Sequence, residues 1–279
     1  MSSKAELLLE QLSWALRNGL QPDPRGYLSS VESNLFQPLS ARARVAFSKG
    51  SGSELRSTSR RPAKMAALHS SAALAVNVFD YWAERDLSQV LVSLGLEAEA
   101  ASLEFEGQFP TGLDGKPPNV DLVVRFPSQV VVGIESKFSE WMTPKSRSKE
   151  YFKAKYFPDG QAVWAKVGLD AAQRLAAALY EGNENFRYLD AAQLLKHMLG
   201  LATVHRGKAE LCYLFYDWPG RESSIHRLEV ERFQEVIAAD MRFRWGSYQE
   251  IFGRLTQSVG QDHDEYVEYL ARRYFADAI

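Results

Sequence analysis

Cysteine is nearly missing from this 279-residue sequence: Cys212 is the only one. No internal disulfide can therefore staple the fold. Cys212 sits in the apolar run LCYLFYDW, where a buried thiol is the expected state. Histidine is sparse as well, with five residues at 69, 197, 205, 226 and 263. They are scattered, and no Cys/His cluster has the spacing of a zinc site. No run approaches the ~18 apolar residues of a spanning helix. The first residues, MSSKAELLLEQLSWALRNG, alternate polar and apolar rather than forming a continuous apolar signal segment. These absences lead us to expect a soluble, cytoplasmic protein with no membrane partner. The formal net charge of −2 also excludes a wholly basic nucleic-acid coat or a wholly acidic tail protein.

What is present describes a folded chain. Hydrophobic residues make up 46% and aromatics 12%, enough to bury a core without staples. Residues 5–17 form an expected amphipathic helix, with Leu8, Leu12 and Leu16, and also Trp14 and Ala15, at helical spacing. An irregular Ser-, Gly- and Arg-rich stretch follows to about residue 67. A strong helix is expected over 71–94, capped by Ser70 or Ser71 and stopped at Gly95. The rhythm then changes to period two. SLEFEGQF, NVDLVVRF and QVVVGIESKF read as three successive strands, separated by TGLDGKPP and by Pro127-Ser128. Helices are expected at 162–180 and 191–201, then a fully buried strand in AELCYLFYDW, and helices over the remainder. The order predicts an α/β fold with a mixed four-stranded sheet flanked by helices, and helical extensions at both ends. We divide the chain into an N-terminal helix and basic arm (1–67), a core (68–218) and a C-terminal helical extension (219–279).

The chemistry concentrates on the second and third strands. In QVVVGIESKF, Val131, Gly133, Glu135 and Lys137 share one face. A glutamate and a lysine ending a Val/Ile strand are costly to bury. At the mouth of a sheet they could hold a metal ion and a nucleophilic water, with Gly133 leaving room for a substrate backbone. Asp121 joins them if the hairpin turn centres on Ser128, because paired residue numbers then sum to 256 and Asp121 faces Glu135. A sum of 255 would put Asp121 against Ile134, on the wrong face. Facing residues have Cβ atoms ~4.5–5.5 Å apart, bridging distance for one divalent ion. Mg²⁺ takes carboxylate oxygens, keeps waters and bridges to phosphate. Asp121 and Glu135 would be its ligands, and Lys137 would orient or deprotonate water or offset charge on phosphorus. The plainer alternative makes Glu135 and Lys137 a solvated pair and Asp121 a strand cap.

Asn119-Val120-Asp121, followed by Glu135-Ser136-Lys137 within this order of elements, resembles the PD-(D/E)XK nuclease superfamily, the restriction-endonuclease-like fold. The likeness covers roughly residues 68–218. It departs at the proline, which precedes Asn119 (Pro117-Pro118) rather than Asp121. The resemblance implies a metal-dependent endonuclease hydrolysing DNA phosphodiester bonds in a restriction or defence setting. Mg²⁺ would be the cofactor, with Mn²⁺ able to substitute, and Asp121, Glu135 and Lys137 the catalytic set. It also implies a further glutamate near the first core helix; Glu54, in GSGSELR, is the candidate and Glu32 its weaker rival. Gln193 is a further candidate site residue, although Asp190 and Gln193 are also spaced as a helix capping box. His69 could approach a phosphate, but a structural histidine is the simpler reading.

The net charge hides two basic segments. Residues 41–64 carry a balance of +6 and residues 137–155 one of +4, so the rest carries −12. Both adjoin the candidate site in sequence. Arg56, Arg60, Arg61, Lys64, Lys145, Arg147 and Lys149 are the expected nucleic-acid contacts, with Trp141, Tyr151, Phe152 and Tyr156 beside the second group. Double-stranded DNA is the expected partner. The alternative is a non-cleaving nucleic-acid-binding or assembly module of the same fold. The C-terminal aromatics, Phe243 to Phe275, are expected to pack on the core, with a homodimer face as the alternative.

Overall fold

The computed structural model describes residues 2–50, 52–59, 61–98, 101–145, 152–158 and 161–275. Its centre is a five-stranded sheet in the order β1 (Ser102–Gln108), β2 (Asn119–Arg125), β3 (Val131–Lys137), β4 (Ala209–Phe215), β5 (Arg242–Ser247). The first three strands form an antiparallel meander; β4 and β5 then run parallel to β3. The mixed α/β sheet expected from the sequence is therefore found, with one strand more than the four expected. β5, RFRWGS, lies where the sequence predicts helices; it is short and alternates arginine with aromatics. Its arginines are neutralised by Glu210 on β4, Arg244 Nε lying 3.0 Å and Arg242 Nη1 3.3 Å from the carboxylate. A charged edge strand of this kind carries little apolar pattern.

The helices are α1 (Ser3–Arg17), α2 (Ala41–Lys49), α3 (Ser71–Phe79), α4 (Ser88–Ser93), α5 (Asp170–Glu181), α6 (Ala191–His205), α7 (Arg221–Ile237), α8 (Tyr248–Ser258) and α9 (Asp264–Tyr274). α6 and α7 cover one face of the sheet, where Leu201 lies over Gly133 and His226 against Tyr213 and Phe215. α3 and α8 cover the other, where Tyr248 bonds Ser136 at 2.6 Å and packs on Phe79. Covered on both faces, β3 is buried at every position but Lys137. No helix among the described residues is long and apolar enough to cross a membrane.

Several local expectations change. The 71–94 helix is two helices, because the Asp86 carboxylate accepts the Ser88 amide at 2.9 Å and restarts the chain there. Ser70 caps α3, accepting from the Ala73 amide at 3.2 Å. The irregular N-terminal stretch contains α2, capped by Ser40 and anchored by Ala43 and Phe47 one turn apart. On α1 the buried stripe is Leu7, Gln11, Trp14 and Ala15, while Leu16 faces outward. Gln11 is tolerated there because its amide donates to the Arg273 carbonyl at 3.1 Å. The C-terminal aromatics are largely consumed by the core, with Tyr248, Phe252, Tyr266, Tyr274 and Phe275 all buried.

Candidate active site

The β2–β3 hairpin has the register sum of 256: Leu122 pairs with Ile134, Val123 with Gly133, Val124 with Val132 and Arg125 with Val131. Its turn closes through Phe126 N–H donating to the Val130 carbonyl at 3.0 Å, with Gln129 in the left-handed region at φ 69°. Continued by one residue, this register sets Asp121 across from Glu135. The ladder stops there, and the Asp121 side chain takes over. Its Oδ2 accepts the amide hydrogen of Ser136, the residue between Glu135 and Lys137, at 2.8 Å.

The opposite side of β2 is interrupted at the same place. Phe105 pairs with Leu122 and Gly107 with Val120, leaving Glu106 and Asp121 unpaired between them. Glu106 has φ 54°, a left-handed conformation that costs a non-glycine residue of order 1–3 kcal/mol. Asn119 Nδ2 donates to Glu106 Oε2 at 2.5 Å. A Cβ on Gly50 would lie 2.6 Å from that same oxygen, so glycine lets the loop after α2 close against the carboxylate. That loop brings Glu54, whose Oε1 lies 3.6 Å from Lys64 Nζ.

Glu135 is fully buried. Its Oε1 accepts from Lys137 Nζ. Its Oε2 lies 2.9 Å from His197 Nε2 on α6, itself 1% exposed. The approach is close but off hydrogen-bond alignment, so Oε2 and both imidazole nitrogens have no aligned partner among the described residues.

Glu54, Glu106, Asp121 and Glu135 thus share one region with Lys64 and Lys137, and Glu140 acts on it as well. Burial, then the Glu135 charge, pushes the Asp121 carboxyl well above the ordinary carboxylate range. Burial likewise raises Glu54 and Glu106, each with further acidic neighbours. Burial works the same way on Glu135, but Lys137 and then His197 outweigh it and bring the carboxyl to about 2. Burial opposes the Lys137 charge in turn; Glu135, Asp121 and Glu140 overcome this and hold the ammonium protonated.

A family model described as Restriction Endonuclease associating with ARP matches residues 12–275. The chain belongs to this restriction-endonuclease family. The family places it in the PD-(D/E)XK superfamily. No curated protein and no solved structure matches the chain.

The donor chemistry of this family member suits a hard divalent cation: carboxylate oxygens, one of them buried without an aligned partner. Among the described residues, no three His, Cys, Asp or Glu side chains converge to enclose an ion as they stand. Mg²⁺ commonly uses one or two protein carboxylates and completes its shell with water and phosphate oxygens. The pair Asp121 and Glu135 fits that demand.

Other expected site residues lie elsewhere. Gly133 leaves no room for a substrate backbone: a Cβ there would meet Leu201 Cδ1 at 2.9 Å and Val120 Cγ1 at 3.2 Å. Gln193 gives its backbone amide to the Asp190 cap of α6 at 3.0 Å. Lys145 is tied to the same Asp190 at 3.0 Å. His69 packs edge-on against Tyr27. Trp141, Phe152 and Tyr156 are core residues, Trp141 stacking on His226 and Tyr156 on Trp164, so they cannot grip a nucleic acid. Arg56 is exposed and Arg61 half-buried; Arg60, Arg147, Lys149 and Tyr151 lie outside the described residues. Two site neighbours were not read from the sequence, Glu106 and His197. Glu106 looked like one polar position of an alternating strand. His197 stands out in the apolar stretch of α6, but nothing in the sequence names its partner.

Proposed function

We propose that this restriction-endonuclease family member is a Mg²⁺-dependent endonuclease that hydrolyses phosphodiester bonds of double-stranded DNA. Asp121 and Glu135 would hold the ion, and Glu54 would assist from the loop after α2. The observation that carries this reading is the junction at Ser136, where Asp121, Glu135 and Lys137 meet in a buried, acid-rich cluster. When bound, Mg²⁺ supplies Lewis-acid polarisation of the phosphate and a nucleophilic water. Lys137 is held as an ammonium by its ion pair, so its role is to offset charge on phosphorus and orient water, not to accept a proton. Arg42, Arg44, Lys49 and Arg56 are exposed and make no ion pair among the described residues, which suits a phosphate backbone. Lys64 and Lys145 are already engaged by carboxylates. The family description names an association with ARP, which also belongs to this reading.

The test is cleavage of supercoiled plasmid DNA in Mg²⁺ or Mn²⁺ by the full chain. Nicking or linearisation is expected, abolished in Asp121→Ala and Lys137→Ala with circular dichroism unchanged. Salt-sensitive DNA binding without cleavage, unaffected by Asp121→Ala, would replace this reading with a binding module.

A further inference from the structure

We propose that His197 is the positioning residue for Glu135, holding Oε2 from α6 while Lys137 holds Oε1. This rests on the metal-site reading above. The two groups reach the carboxylate from different elements. Lys137 is two residues along the same strand; His197 comes across the helix–sheet interface. With one oxygen on each, rotation of the carboxylate plane is restrained, and Glu135 meets an ion in one orientation.

The ring can do this because α6 is locked in place. Asp190 caps its first turn at Gln193. Trp164 Nε1 donates to the Leu195 carbonyl at 2.8 Å. Leu201 covers Gly133, and Gly200 lies so close to the Phe109 carbonyl that a Cβ would approach it to 2.6 Å. At 2.9 Å from an ionised carboxylate oxygen, which only accepts, Nε2 must carry the hydrogen. Nδ1 has no partner among the described residues, and the approach to Glu135 is the one contact that either ring nitrogen makes there. The present misalignment is of the kind that tightens when a site is loaded. Partners behind a metal ligand fix its orientation in this way, and their loss typically weakens metal affinity ~10–100-fold.

The test is calorimetric titration of the full chain with Mn²⁺ in the absence of DNA, alongside thermal melts. His197→Asn, too short to reach Oε2, should weaken Mn²⁺ binding at least ~10-fold. His197→Gln, whose amide can occupy the Nε2 position, should stay close to the wild-type Kd. A merely structural histidine would lower the melting temperature of both variants and leave the Kd unmoved. A folded His197→Asn variant with wild-type Mn²⁺ affinity overturns the proposal. Should that variant fail to fold, ¹⁵N NMR of the wild-type imidazole decides: protonation at Nε2 supports the proposal and protonation at Nδ1 overturns it. Wild-type chain that binds no Mn²⁺ would instead sink the metal site itself, and this role with it.

Discussion

Replacing Lys137 with methionine removes the cation beside Glu135 while keeping most of the side chain's length. The Lys137 side chain is 15% exposed and that of Glu135 1%, so the pair lies out of reach of bulk screening. Removing one partner of a buried ion pair costs about 3–5 kcal/mol, because the remaining charge is left uncompensated. His197 stays on the other oxygen, which places the expected loss near the low end, about 3 kcal/mol. With a urea m-value of about 3 kcal/mol/M, the unfolding midpoint should fall by ~1 M at neutral pH.

The loss should also depend on pH, with a definite sign. In the wild type Glu135 sits at about 2, below its unfolded value of 4.5, so its contribution is present above 4.5 and lost only as pH falls through about 2. Without Lys137, burial dominates and the folded value rises. A carboxyl with a raised folded value binds its proton more tightly in the native state, so stability falls as pH rises above 4.5. The deficit of Lys137→Met should therefore widen with pH, by up to ~1.4 kcal/mol per unit. Adding Glu135→Gln should recover part of it, with a coupling above ~1 kcal/mol in the double-mutant cycle. A cost under ~0.5 kcal/mol, flat in pH and additive in the cycle, would refute the buried-pair argument.

Two further outcomes follow from packing elsewhere. His226 is fully buried, stacked on Trp141 at 4.4 Å and 2.9 Å from the Tyr213 hydroxyl, and burial brings its imidazole to about 3. Because the unfolded chain binds that proton more readily, stability should be lost as pH falls from 6.5 towards 3, by up to ~1.4 kcal/mol per unit. His226→Phe should flatten that part of the urea-midpoint profile, and an unchanged slope would count against it. Gly200→Ala should cost about 1–3 kcal/mol, since the new methyl meets the Phe109 backbone carbonyl at 2.6 Å. Gly253→Ala in α8 meets nothing within 4 Å and should gain ~0.5–1 kcal/mol. A Gly200→Ala variant that melts no lower than wild type would show that α6 is not docked as described.

How much of this was legible in the sequence follows from which geometry obeys a rule. Strand side chains alternate and antiparallel partners keep a constant sum. Glu135 and Lys137 could therefore be paired, and Asp121 placed opposite, from residue numbers and a turn centre alone. Helical faces are less determinate over a short stretch. On α1 the expected Trp14 and Ala15 are buried, but a stripe through Leu8, Leu12 and Leu16 and one through Leu7 and Gln11 both have helical spacing. Only the docking of Gln11 on the Arg273 carbonyl selects the second. The basic segments were visible as charge but not as availability. Lys64 answers Glu54, and Lys145 answers Asp190. Among the described residues, charge outside any ion pair is left on α2, at Arg56 and, after β3, at Lys153.

The carboxylate region gives this difference a chemical consequence. Local sequence supplied one lysine for two carboxylates, a nearly neutral account. The folded chain adds Glu106 from an interrupted strand and Glu54 from a glycine-lined loop, where Lys64 pairs with Glu54 and Arg61 also acts on it. Burial first, and acidic neighbours after it, drive Glu54, Glu106 and Asp121 towards their protonated forms. Proton uptake is one way to relieve the cost of these buried charges, and a divalent cation is another. The two compete for the same oxygens, so cation affinity should rise with pH as the Asp121 carboxyl gives up its proton. Under the metal-bound reading proposed above, an ion would relieve this buried acidic cluster. That relief would concern Glu54 and Glu106 as well as the two carboxylates of the motif.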